Sequence, residues 1–132
     1  MSEEYEVPEQ LYYTKEHEWV SVSDNTATVG ITDYAQKSLH EVVYVELPEV
    51  GRELTQGEVM GSVESVKAVS DIYAPVSGKV VEVNEKLLDE PETLNNDPYG
   101  EGWIAKIELT NFEEDKKKLL TAEQYRNLLK EL

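Results

Sequence analysis

Gly57-Glu58-Val59-Met60-Gly61-Ser62-Val63-Glu64-Ser65-Val66-Lys67-Ala68-Val69-Ser70-Asp71-Ile72-Tyr73-Ala74-Pro75-Val76-Ser77-Gly78-Lys79-Val80-Val81-Glu82-Val83-Asn84 reads as strand, turn and strand, and then a further strand. Residues 59–64 lead up to the turn and 68–73 lead away, and Pro75 and Gly78 punctuate the approach to the third strand. Lys67 stands at the apex. Its neighbours Val66 and Ala68 are apolar, unusual for an exposed tip, and the nearest charges, Glu64 and Asp71, are acidic. A lysine amine on a protruding turn is accessible to an acylating enzyme, and its long stem suits the base of a tethered arm. The plain alternative is a solvated turn lysine.

The flanks of this turn look like loosely related units, residues 57–64 and 75–82. Gly51 lies sixteen residues before Lys67 and Gly78 eleven after it. Glycines so placed permit tight turns and close strand approach in a flattened, internally symmetric sandwich.

Further out, Trp19 to Val22 and Thr26 to Ile31 flank the turn pair Asp24-Asn25, with Ala27, Val29 and Ile31 alternating with Thr28 and Gly30. Thr32 is placed to cap a short helix over 33–39. Strand character returns at Val42 to Leu47, with Val43, Val45 and Leu47 expected on one face. Residues 85–102 hold two prolines and four acidic residues before Asn95, and read as a long loop with at most one helical turn. Trp103, Ala105, Ile107 and Leu109 then alternate as a last half-buried strand. At the C-terminus Thr121-Ala122-Glu123-Gln124 is a capping box, and Tyr125, Leu128, Leu129 and Leu132 recur at helical spacing. The expectation is mainly β: one domain over 1–132, with 1–11 a mobile polar lead-in and 113–132 a helical segment lying on the β-domain.

Charge is the most extreme bulk property. Twelve Lys+Arg against 28 Asp+Glu give a net charge of −16, which repels nucleic acid and anionic membranes and favours basic partner proteins. The same charge also keeps a protein soluble. No apolar run is long enough to span a bilayer, and the acidic start resembles neither a secretory signal nor a transit peptide. With no cysteine, there is no disulfide, thiol nucleophile or Cys-based metal site, so a reducing cytoplasm fits best.

Catalytic chemistry is not legible. The two histidines, His17 and His40, do not have metal-binding spacing, and no phosphate loop, dinucleotide fingerprint or nucleophile elbow occurs. With 28 carboxylates, the proximity of any two carries almost no information. The expectation is a carrier rather than an enzyme.

Residues 63–71 and 73–80 closely resemble the lipoyl-lysine region of the glycine cleavage system H proteins. The resemblance extends to His17-Glu18-Trp19-Val20, Gly30-Ile31-Thr32-Asp33-Tyr34-Ala35-Gln36, Val43-Tyr44-Val45-Glu46-Leu47-Pro48 and Asn96-Asp97-Pro98-Tyr99-Gly100-Glu101-Gly102-Trp103, and so covers the chain from about residue 12. It implies a lipoyl-domain-like barrel-sandwich hybrid with short peripheral helices and a C-terminal amphipathic helix. It also implies lipoate in amide linkage on Lys67, with Glu64, Val66, Ala68, Gly51 and Gly78 as recognition features around the turn.

The implied partners are a pyridoxal-phosphate glycine decarboxylase that loads an aminomethyl group, a tetrahydrofolate-dependent aminomethyltransferase that removes its carbon, and dihydrolipoyl dehydrogenase. A lipoate ligase or a lipoyl/octanoyl transferase would attach the arm. In this family the loaded arm folds into an acidic cleft, and the matching positions here are Glu18 and Asp71. The plain alternatives are that Glu18 caps local backbone and Asp71 is a solvated strand-edge charge. Some relatives place a histidine near the arm where this chain has Ser38. His40 lies two residues along and, on a short helix, faces elsewhere.

Biotinyl domains flank their lysine with methionines, and lipoyl domains of 2-oxo acid dehydrogenases sit in linker-rich multidomain chains. Neither pattern is present. The remaining alternatives are an H-like carrier serving sulfur metabolism or relaying lipoyl groups and, of a different class, an unmodified acidic binding module. A monomer is expected.

Overall fold

The computed structural model describes residues 4–132. Nine strands among these residues form two antiparallel sheets. One has six strands in the order β1 (Tyr12–Tyr13), β2 (Glu18–Ser23), β3 (Thr26–Ile31), β9 (Ala105–Leu109), β8 (Gly78–Val83) and β5 (Glu53–Leu54). The other is β4 (Val42–Glu46), β6 (Val59–Ser65) and β7 (Val69–Tyr73). Valines and isoleucines at alternate positions put one face of each strand inward. Val20, Val29, Val80 and Ile107 of the first sheet meet Val45, Val63 and Ile72 of the second in a single buried cluster. Each such side chain stabilises the fold by roughly 1.5–3 kcal/mol relative to exposure. The result is the mainly β sandwich anticipated, with the hairpin of β6 and β7 forming part of its second sheet.

Local signals performed as expected where they were strong. Thr32 caps α1 (Asp33–Leu39), accepting from the Ala35 amide. Thr121 and Gln124 form a complete capping box on α5 (Ala122–Lys130). Two short helices, α2 (Lys86–Asp89) and α3 (Thr93–Asn96), occupy the 85–102 loop and bury Leu87 and Leu94, one more turn than expected. A further helix, α4 (Phe112–Asp115), runs into a 3-10 turn at 116–118.

Three expectations are corrected. In β4 the inward residues are Val42 and Val45, while Val43 is exposed. A bulge between Val42 and Tyr44 inserts one residue and inverts the alternation. Leu132 is exposed because it lies beyond the end of α5, so only Tyr125, Leu128 and Leu129 of the periodic set pack. The described part of the lead-in is not a free tail. Val7 and Leu11 are buried, the Glu6 amide donates to Asp33 Oδ2 at 2.9 Å, and Tyr99 donates to the Glu6 carbonyl at 2.6 Å. Arg126 of α5 donates to the Val7 carbonyl and pairs with Glu9. Two apolar side chains and several long-range hydrogen bonds are enough to fix a segment whose composition alone reads as polar.

Candidate functional site

The turn at Lys67 is built by its neighbours. The Ser65 amide donates to the Ala68 carbonyl at 2.8 Å, closing a two-residue turn over Val66 and Lys67. Ser65 is buried. Its Oγ accepts from the amides of Lys67 (3.1 Å) and Ala68 (3.0 Å). This is the local side-chain-to-backbone bonding by which serine fixes turns. The Val66 amide donates to the Glu41 carbonyl at 3.0 Å, tying the tip to the chain after α1. Lys67 is exposed, and among the described residues its amine meets only the Ser38 carbonyl, at 3.5 Å. Val66 and Val69 are each 67% exposed, so the tip is an apolar collar around one uncommitted amine.

Ser38 therefore does stand beside the lysine, through its carbonyl at the C-terminal end of α1. His40 is exposed. Its backbone serves structure instead, with its amide donating to Gln36 and its carbonyl accepting from Asn95.

Glu18, at the start of β2, is 2% exposed. Its Oε1 accepts from Thr14 Oγ1 at 2.5 Å and its Oε2 from the Tyr73 amide at 3.1 Å, so it caps backbone at the end of β7. Burial pushes its carboxyl up to about 7, against the lowering effect of those two hydrogen bonds. It lines an open cavity of about 580 Å³ with Thr14, Gln56, Gly57, Tyr73 and Pro75. Asp71 is exposed, opposite Ser62 on the outer face of the three-stranded sheet, and lines a different depression of about 290 Å³ with Glu46, Val59 and Val69. The two carboxylates thus come from different strands, Asp71 on β7 and Glu18 on β2 against the end of β7, and line separate depressions. Glu64, opposite Val69, faces outward in the same sheet.

Strand pairing carries Gly51 and Gly78 to the other sheet. The Gly51 amide donates to the Val80 carbonyl at 2.7 Å, and its φ of 96° is one that side chains resist. Gly78 passes so close to β9 that a Cβ there would lie 2.1 Å from the Glu108 carbonyl oxygen. Gly78 thus serves a close strand approach and Gly51 a left-handed backbone turn with open space around it, both at a distance from the Lys67 turn.

Ser65 and Thr14 escape a reading of the sequence. The signal available is a serine two residues before a turn lysine, and a threonine four before Glu18, both patterns of side-chain-to-backbone capping. The other motifs hold the frame. Trp19 donates through Nε1 to the Pro98 carbonyl at 3.0 Å and lies against Gly30, where a Cβ would come within 2.7 Å of the indole. His17 Nδ1 meets Tyr125 Oη at 2.8 Å, and that hydroxyl also meets Thr32 Oγ1 at 2.7 Å. Burial lowers the His17 pKa. His17 is therefore a packing element.

The hairpin fixes its tip through Ser65 and Glu41 while leaving one lysine amine exposed, a geometry able to present a side chain to other proteins. Comparison with known proteins supplies the family. The model of the family described as glycine cleavage H-protein matches residues 11–132. A probable glycine cleavage system H protein of Pyrococcus abyssi is 63% identical over 130 residues, covering 98% of this chain and 96% of its own. The glycine cleavage system H protein of Carboxydothermus hydrogenoformans is 54% identical over 125 residues, covering 95% of each. A crystal structure of a glycine cleavage system H protein from Mycobacterium marinum superposes with a TM-score of 0.82 at 40% identity, covering 92% of this chain and 97% of that one. The chain belongs to the glycine cleavage H-protein family.

The chain's role is accordingly that of a lipoyl carrier in glycine cleavage, without catalysis of its own, and carriage for another pathway is not favoured. Family membership brings a lipoate attached to a lysine, and interaction with the glycine decarboxylase, aminomethyltransferase and lipoamide dehydrogenase of that system. The geometry fits such a group, since amide attachment asks for one accessible amine rather than an enclosed pocket, and the Lys67 tip supplies it.

Proposed function

We propose that Lys67 is the lysine that carries lipoate, through Nζ. The chain would present it in turn to the pyridoxal-phosphate decarboxylase, the folate-dependent aminomethyltransferase and dihydrolipoyl dehydrogenase. The observation behind this reading is the turn itself: Ser65 and Glu41 hold the backbone while the amine, among the described residues, has one long contact, to Ser38. The bound lipoyl group supplies a redox-active pair of sulfurs able to accept the aminomethyl group of glycine and return to disulfide after its transfer. The chain contributes tether, position and charge. A tether raises the effective concentration of the reacting end at each partner's site. Asp71 lies four residues along the strand from Lys67, about 13 Å, and Tyr73 with Glu18 about 20 Å. They are two carboxyl stations for an ammonium, Asp71 solvated and Glu18 recessed, the second of which an incoming cation would draw toward its ionised form.

Glu64, Val66 and Ala68 form the surface read by a lipoate ligase or a lipoyl/octanoyl transferase. The chain works in the cytoplasm as a monomer that avoids nucleic acid and membranes, a reading supported by its net charge of −16. No helix among the described residues is long and apolar enough to cross a membrane.

The test is intact-mass spectrometry with peptide mapping on protein from its own cells, beside a Lys67→Arg variant. One lipoyl increment on the Lys67 peptide, absent from the variant, is the expected result. An unmodified Lys67 in cells that lipoylate their other carriers would overturn the assignment.

A further inference from the structure

β7 has one free side. Among the described residues it pairs with β6 alone and ends the three-stranded sheet. In an antiparallel ladder, bonded and non-bonded pairs alternate. With Ser65 bonded to Ala68, the pairs Glu64–Val69 and Ser62–Asp71 are of the non-bonded kind, so the N–H and C=O of Val69 and Asp71 point away from β6. The next outward amide, Tyr73, is taken by Glu18. Among the described residues, the only hydrogen bond to the outward groups of Val69 and Asp71 is a 3.5 Å contact from Ser70 Oγ to the Asp71 carbonyl. The opposite edge of the sheet, β4, is partly closed, since the Val42 amide donates to Asn95 Oδ1 at 2.9 Å. The open stretch therefore runs from Val69 to Asp71, with Lys67 at one end and the Glu18 cap at the other.

Its surroundings combine apolar area with negative charge. Val69 is 67% exposed, and Tyr44, 51% exposed, stands in the same cross-strand row with Glu64 between them. Glu46 and Asp71 flank Ser62 in the next row. Exposed edges are a template for strand addition, and charge or brevity usually blunts them.

We propose that this edge is the docking site of the enzyme that acylates Lys67, which adds an extended segment bearing Lys or Arg side chains to β7. The inference rests on the Lys67 reading. The chemistry of the reaction fixes the occupant. Amide formation joins the Lys67 nitrogen to the carbonyl carbon of an activated acyl donor, an adenylate or thioester, releasing that leaving group and a proton from the amine. The acylating enzyme must therefore reach Nζ itself. Enzymes acting on the far end of a completed arm work at a distance from the turn. Backbone pairing at Val69 fixes the lysine two residues, about 7 Å, from the first contact. Basic side chains on the added segment meet Glu46, Glu64 and Asp71.

The experiment uses the unmodified chain with a lipoate–protein ligase, lipoate and ATP. Val69→Pro removes one outward N–H and covers the edge without touching the ladder to β6, whereas Val69→Thr keeps the backbone. The expected result is a loss of about tenfold or more in kcat/KM for acylation in the proline variant, against a change within about threefold for threonine. A second measurement does not depend on how proline is tolerated: amide exchange of the Lys67→Arg chain, alone and in excess ligase. Slowed exchange at Val69 and Asp71 is expected. Acylation of both Val69 variants at the parent rate, or protection in the complex that bypasses those two amides, overturns the docking site and leaves Lys67 as the carrier. Label on another lysine overturns the Lys67 reading itself.

Discussion

Ser65 is the residue on which presentation of the amine depends. Its hydroxyl holds two amides of the turn, and its loss leaves both to water. Ser65→Ala is expected to cost about 1–2 kcal/mol locally and to speed amide exchange at residues 67–68 roughly tenfold. Unchanged exchange there would mean that the turn is held by its backbone bonds, Ser65 to Ala68 and Val66 to Glu41, without the hydroxyl. Glu18 gives a pH dependence with a definite sign. Its carboxyl rises from an ordinary 4.5 to about 7 on folding, so its contribution to stability is complete below about 4.5 and is lost as pH rises through about 7. Glu18→Gln stays neutral throughout, so it should gain on the parent by up to about 3 kcal/mol between pH 4.5 and 8. Urea melts across that range measure it. A difference independent of pH would show that the carboxyl titrates normally in the fold.

Among the elements, α5 is joined to the sandwich by one side chain above all. The Tyr125 ring stacks on Tyr13 with centroids 4.6 Å apart, and its hydroxyl lies between His17 and Thr32, the cap of α1. Tyr125→Phe keeps the stack and removes both polar contacts. A loss of about 1–2 kcal/mol, or roughly 3–6 °C in Tm, is expected, read by thermal unfolding. No shift would mean that those two contacts add nothing net. This element also shows what sequence can and cannot reveal. The Thr121 box, the Thr32 cap and the alternation of Ala105, Ile107 and Leu109 are local signals, and local geometry honours them. The bulge at Val43, the docking of Val7 and Leu11 and the parting of Glu18 from Asp71 depend on contacts across the chain that no window contains. Lys67 is legible from its flanking motifs, but Ser65, which fixes it, is hidden by its ordinary composition.

At the scale of the whole molecule, a net charge of −16 on 132 residues makes long-range attraction to basic partners a property of the fold's entire surface. The seven ion pairs found among the described residues leave most of the 28 carboxylates without a cation within bonding distance, so the field is not neutralised internally. A charge spread this widely acts before contact, and should appear in the association rate rather than in the lifetime of the complex. The screening length falls from about 30 Å at 0.01 M salt to about 10 Å at 0.1 M and about 3 Å at 1 M. Association with the aminomethyltransferase, monitored by stopped flow, should therefore slow by about tenfold or more between 0.01 and 0.5 M salt, with dissociation changing far less. If both rates were insensitive to salt, steering by net charge would be excluded and the acid would serve solubility. If dissociation alone responded, the relevant charges would be a few contact pairs, with the outward row of Glu46 and Asp71 the first to substitute.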